Sequence, residues 1–76
     1  MNIAHNDTAA HTANSLRNIL QMRDFLLSAG RSIKQIKAAW NAELAKLEKR
    51  GQPKGESAIT KYSASVAALR QAISQH

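Results

Sequence analysis

The chain has 76 residues, a formal net charge of +6, no cysteine, and a single Trp, Tyr and Phe. These totals exclude a disulfide framework, thiolate metal sites and cysteine nucleophiles, and no run approaches the roughly 18 continuous apolar residues of a membrane span. A chain this short is one domain that buries only about 60% of its unfolded surface. Its core must come from Leu, Ile and Ala, which suits packed helices better than a sheet.

Residues 1–12 lack the basic start and apolar run of a secretory signal, and read as a flexible or partly helical tail ahead of a domain spanning 13–76. The absence of cysteine fits a reducing cytoplasm, the expected location. The first helical segment places Leu16, Ile19, Leu20, Met22, Phe25, Leu26 and Leu27 at spacings of three and four, with Gly30 positioned as a left-handed cap. Its start is open, because Asp7, Thr8, Thr12 and Asn14 are each suitable N-caps.

The second segment opens on Ser32 with Gln35 three residues later, the pattern of a reciprocal capping box. Ile33, Ile36, Trp40, Leu44 and Leu47 then form one apolar stripe that ends before Gly51. Mid-stripe, Trp40 reads as a core anchor rather than a stacking platform for a base. Gly51, Pro53 and Gly55 break the helix. A third segment starts near Ser57 and carries Ile59, Tyr62, Val66, Leu69 and Ile73 on one stripe. Three amphipathic helices with short connections predict an all-α fold, a compact three-helix bundle of helix-turn-helix type.

Charge is localised on this framework. Residues 31–61 hold eight of the eleven basic side chains (Arg31, Lys34, Lys37, Lys46, Lys49, Arg50, Lys54, Lys61) against Glu43, Glu48 and Glu56, whereas the first thirty residues balance to zero. A localised positive field points to a polyanionic partner. At the start of the third helix, Ser57, Thr60, Lys61, Ser63 and Ala64 are candidates for base readout: short hydroxyls and a lysine hydrogen-bond base edges, and a small apolar group meets a thymine methyl. Arg31, Ser32, Lys34 and Lys54 are candidates for phosphate contact near helix N-termini. Lys46, Lys49 and Arg50 have a competing role in complementing the helix dipole, and Glu43 with Lys46 reads as an ordinary surface pair.

The expected function is sequence-specific binding of double-stranded DNA. A single module buries only about 600 to 1,000 Å² on DNA, so a homodimer or cooperative assembly on repeated sites is expected. The alternative is a small basic helical protein that binds and inhibits a host or defence protein.

The pattern Gly-x-Ser-x-x-x-Ile-x-x-x-Trp (Gly30, Ser32, Ile36, Trp40), followed after a polar turn by Ser57, Ile59 and Tyr62, resembles the small helix-turn-helix modules of plasmid stability and conjugative-transfer accessory proteins, the StbA-like and TraK-like groups. The resemblance covers about residues 16–70 and implies binding to short repeated sites in plasmid DNA, with roles in plasmid maintenance, transfer control or repression of its own operon. The second segment, running on through Leu47, is longer than the usual first helix of such a motif.

No enzyme is expected. The five acids are scattered, with no Ser-His-acid set and no phosphate-binding glycine loop. His5 and His11 are six apart, share no helical face and have no carboxylate at ligand spacing, so no metal or other cofactor is expected.

Overall fold

The computed structural model describes the backbone of residues 3–76 and the side chains of residues 9–76. Met1 and Asn2, within the segment read as a tail, lie outside the described residues. Three helices follow in order: α1 (Ile3–Ser28), α2 (Ile33–Arg50) and α3 (Glu56–Gln75). Helix α1 therefore includes the four residues considered as its N-cap, and it runs through Ala9–Ala13.

The helix ends form as their residues dictate. Gly30 adopts a φ of 95°, its N–H donates to the Leu27 carbonyl at 3.1 Å, and the Arg31 N–H donates to the Leu26 carbonyl at 2.9 Å. This pair of bonds is the Schellman motif, and it satisfies two carbonyls that the end of α1 would otherwise orphan. Four residues later the capping box is complete: the Gln35 N–H donates to Ser32 Oγ at 3.1 Å and the Ser32 N–H to Gln35 Oε1 at 3.0 Å. At the other end of α2 the Leu47 carbonyl accepts twice, from the Gly51 N–H at 3.0 Å and from the Tyr62 hydroxyl at 3.2 Å. The second of these bonds ties α3 to the end of α2.

Side-chain neighbours fix the helix directions. One groove brings together Ser15, Ile19, Leu47 and Ser65, and the next along the bundle brings together Met22, Leu26, Ile36 and Trp40. As α1 advances from 15 to 26, α2 runs back from 47 to 36, so the two are antiparallel. Arg23 on α1 meets His76 beyond α3, and Tyr62 meets Leu47, so α3 runs parallel to α1 and antiparallel to α2.

The packing is unequal. Helices α1 and α3 share the most extensive contact, and α1 and α2 share the least. The reason lies in a row that the stripe of large residues conceals: Ala64, Ala68 and Ala72 are buried at four-residue spacing on α3. Methyl side chains let a neighbouring helix axis approach closely. Of the expected α3 stripe only Leu69 is fully buried, while Ile59, Tyr62, Val66 and Ile73 are half-buried. The core proper is Ile36, Trp40, Leu69 and Ala72, flanked by Leu16, Ile19, Leu26, Leu44, Leu47 and Ile73.

His76 closes this core from the C-terminal end. Its ring stands edge-on to Trp40, with centroids 5.2 Å apart. One tautomer satisfies both ring nitrogens, with Nδ1 donating to the Ala72 carbonyl and Nε2 accepting from the Arg23 guanidinium, each at 2.7 Å. The expected α1 stripe needs correcting: Met22, Phe25 and Leu27 are exposed, as is Ile33 at the start of α2. Met22 and Phe25 lie outside the arc that α3 covers, and α2 packs too lightly on α1 to cover them.

The alanine row has a direct test. Ala68→Leu inserts three carbons where no space is left and is expected to cost about 1–3 kcal/mol in urea unfolding. Ala67→Leu, one residue away on the exposed side, is expected to stay within about 0.5 kcal/mol of the parent.

Candidate nucleic-acid interface

Helix α2 turns Ile36 and Trp40 inward, and this decides where its charges go. At about 100° per residue, Lys34, Lys46 and Lys49 fall on the arc opposite Trp40, whereas Lys37 and Arg50 flank the inward face alongside Glu43 and Glu48. Between Lys34 and Lys46 the outer face carries Ala38, Ala42 and Ala45 with the amide Gln35, all exposed, and Asn41 borders it. Asn41 is partly occupied, since its Nδ2 donates to the Lys37 carbonyl at 3.0 Å.

Few anions oppose these charges. Of the eight cations between residues 31 and 61, only Lys46 reaches a carboxylate among the described residues, Glu43 at 3.9 Å, which is the surface pair the sequence suggests. Glu48 is engaged with Arg70 of α3 at 2.5 Å. Seven cations are left without an ion pair among the described residues: Arg31, Lys34, Lys37, Lys49, Arg50, Lys54 and Lys61.

The residues singled out for phosphate contact do not form one cluster. Because α2 and α3 are antiparallel, their N-termini lie at opposite ends of the bundle. Arg31, Ser32 and Lys34 stand at one end of α2, and Lys54 with Lys61 at the other, about 26 Å away at 1.5 Å of rise per residue. Ser32 is also committed to capping. Its N–H is taken by Gln35, which leaves only the hydroxyl hydrogen to offer a phosphate.

The candidates for base readout divide as well. Ser57, Lys61 and Ala64 lie along one side of α3, and Thr60 with Ser63 along another. Ala64 is 1% exposed and belongs to the buried alanine row, so its assignment to base readout is corrected: no base can reach its methyl. Thr60 is half-buried and donates its hydroxyl to the Glu56 carbonyl at 3.0 Å, the back-bonding common for Thr within helices. Ser57, Lys61 and Ser63 are exposed.

No family model, curated protein or solved structure matches this chain. Any function must therefore be argued from the residues themselves. Among the described residues no three His, Cys, Asp or Glu side chains come together, and no helix is long and apolar enough to cross a membrane.

Sequence reasoning picks out Lys34 but does not join it to the rest of the outer face of α2, because Lys46, Lys49 and Arg50 have a competing role in complementing the helix dipole. A signal was present: Lys34, Ala38, Ala42, Ala45 and Lys49 recur at three- and four-residue spacing, with no acid among them, on the side opposite the apolar stripe.

The cap that positions Arg31 and Lys34 can be tested apart from binding. Ser32→Ala is expected to lower stability by about 1 kcal/mol in urea titration, and Ser32→Gly by only a few tenths. Equal losses would mean that the side-chain bond is not what holds the start of α2.

Proposed function

We propose that this protein is a double-stranded DNA-binding module whose contact surface is the outer face of α2 together with the α2–α3 turn and the first two turns of α3. The observation that carries the reading is the set of seven cations without an ion pair among the described residues, all along or beside that surface. Unpaired surface cations gain little within the fold, whereas on a polyanion each releases condensed counterions.

The dimensions agree. A helix about 26 Å long crosses a major groove about 12 Å wide with its two ends over opposite phosphate backbones. Arg31 and Lys34 then serve one backbone, and Lys49, Arg50 and Lys54 the other. Short alanine side chains between them let the helix approach the bases. Base readout falls to the Nε2 amide of Gln35 on α2, its Oε1 being held by the Ser32 N–H, and to Ser57, Lys61 and Ser63 at the start of α3.

The helix-turn-helix expectation enters this proposal in modified form. Helices α2 and α3 and their five-residue turn supply the surface, but the antiparallel pairing through Tyr62 and Leu47 makes α2 the element presented to the groove. A setting in plasmid maintenance, transfer control or autorepression through repeated sites rests on the resemblance around Gly30, Ser32, Ile36 and Trp40.

A fluorescence-anisotropy titration against duplex DNA tests the proposal. Binding is expected to weaken with salt at a slope of about −4 to −6 in log K against log salt, given roughly five to seven phosphate contacts. The double variant Lys34→Glu, Lys49→Glu is expected to bind at least about 30-fold more weakly on any sequence, while Gln35→Ala and Ser63→Ala narrow the gap between cognate and random DNA. Absence of binding at low salt overturns the DNA reading and assigns the basic face to an acidic protein partner, in line with the inhibitor alternative.

A further inference from the structure

One exposed stripe of α1 carries Asn18, Gln21, Met22 and Phe25, and at Asn18 and Met22 it borders grooves shared with α2 and α3, where Glu43 also lies. Phe25 is 66% exposed and Met22 55%. Met22 also forms the lip of an open groove of about 400 Å³ between α1 and α2, with Leu26, Ile36, Ala39 and Trp40 on its walls. The least-packed helix pair therefore opens directly onto the most exposed apolar side chains of the bundle.

We infer that this face of α1 is the interface of a homodimer, occupied by the same face of a second copy of the chain. Three observations select that occupant. The first is exposure. Phe25 and Met22 are large apolar side chains left 66% and 55% exposed on one stripe of α1, the kind of patch that marks an interface.

The second observation is charge. The first thirty residues carry Arg17 and Arg23 against Asp7 and Asp24, while residues 31–61 carry a net +5. Two copies meeting through α1 join neutral surfaces and keep their basic faces apart. A two-fold pairing through the 31–61 surface instead sets +5 against +5.

The third is self-complementarity. A two-fold interface sets a patch against itself. Asn18 and Gln21 each hold both a donor and an acceptor in one amide, so each can pair with its own counterpart across the axis. Met22 and Phe25 at the centre supply the apolar anchor such an interface needs. The stripe contains no charged side chain to be buried unpaired.

Dimerisation through α1 leaves α2 outward on both copies, so the inference is compatible with DNA binding but does not rest on it. Sedimentation equilibrium of the full chain without DNA, over about 1 to 300 µM, tests it by mass action. The expected result is a concentration-dependent rise from 8.3 kDa to twice that mass. Phe25→Glu and Met22→Glu are each expected to weaken association by about tenfold or more, with helical circular dichroism retained because both side chains are exposed. Lys49→Glu, on the opposite side, is expected to associate at least as well as the parent. A parent chain that stays at 8.3 kDa throughout, or a Phe25→Glu variant that associates as tightly as the parent, overturns the inference.

Discussion

Trp40 is the one aromatic side chain that α2 commits to the interior, and with Ile36 it seats that helix in the bundle. Helices α1 and α3 can associate closely through small residues, with Ala64, Ala68 and Ala72 buried on α3. Helix α2 has no comparable row and makes lighter contact with both neighbours. It is held by Ile36 and Trp40 in the middle, by the Ser32–Gln35 box at its start, and by the Tyr62 bond at its end. His76 completes the seat by packing edge-on against the indole while bonding Arg23 and the Ala72 carbonyl. Without the indole, the core would lose one of the two side chains that α2 sets against Leu69 and Ala72, leaving Ile36 alone, and truncation of a buried aromatic typically costs several kcal/mol.

That single anchoring line has two consequences for the surface. With Ile36 and Trp40 inward, Lys34, Lys46 and Lys49 occupy the outer arc of α2, where carboxylates are scarce. And because α2 leans on α3 more than on α1, the flank of α1 beside it is left partly uncovered, exposing Met22 and Phe25. The molecule thus presents a basic side and a neutral apolar side that follow from the same packing choice. Two kinds of partner can be accommodated without competing for surface.

Much of the fold was legible in the sequence because punctuation and periodicity are local. Gly30, the Ser32–Gln35 pair and the break around Gly51 and Pro53 set the ends of α1 and α2 and the turn into α3, and the intervals from Ile36 to Leu47 identified the inward face of α2. The errors were tertiary. Counting large apolar residues assigned Met22 and Phe25 to the core, and it overlooked alanines that bury because a neighbouring helix comes close. Ala64 was read as a surface methyl for the same reason. The charged stretch was recognised, but its division depended on helix direction: antiparallel packing separates Arg31 and Lys34 from Lys54 and Lys61. The role of His76 depended on contacts with Arg23 and Trp40, far away in the chain, which no local pattern encodes.

The central claim is that this packing separates a basic partner-binding side on α2 from a neutral side on α1. Backbone amide chemical-shift mapping by NMR, with duplex DNA added in steps, addresses it residue by residue. The account predicts perturbations concentrated at Arg31–Gln35, Ala38, Ala42, Ala45, Lys49–Gln52, Lys54 and Ser57–Ser63, with Asn18 to Phe25 of α1 unmoved. Perturbations centred on Asn18 to Phe25, or spread evenly over all three helices, would contradict it.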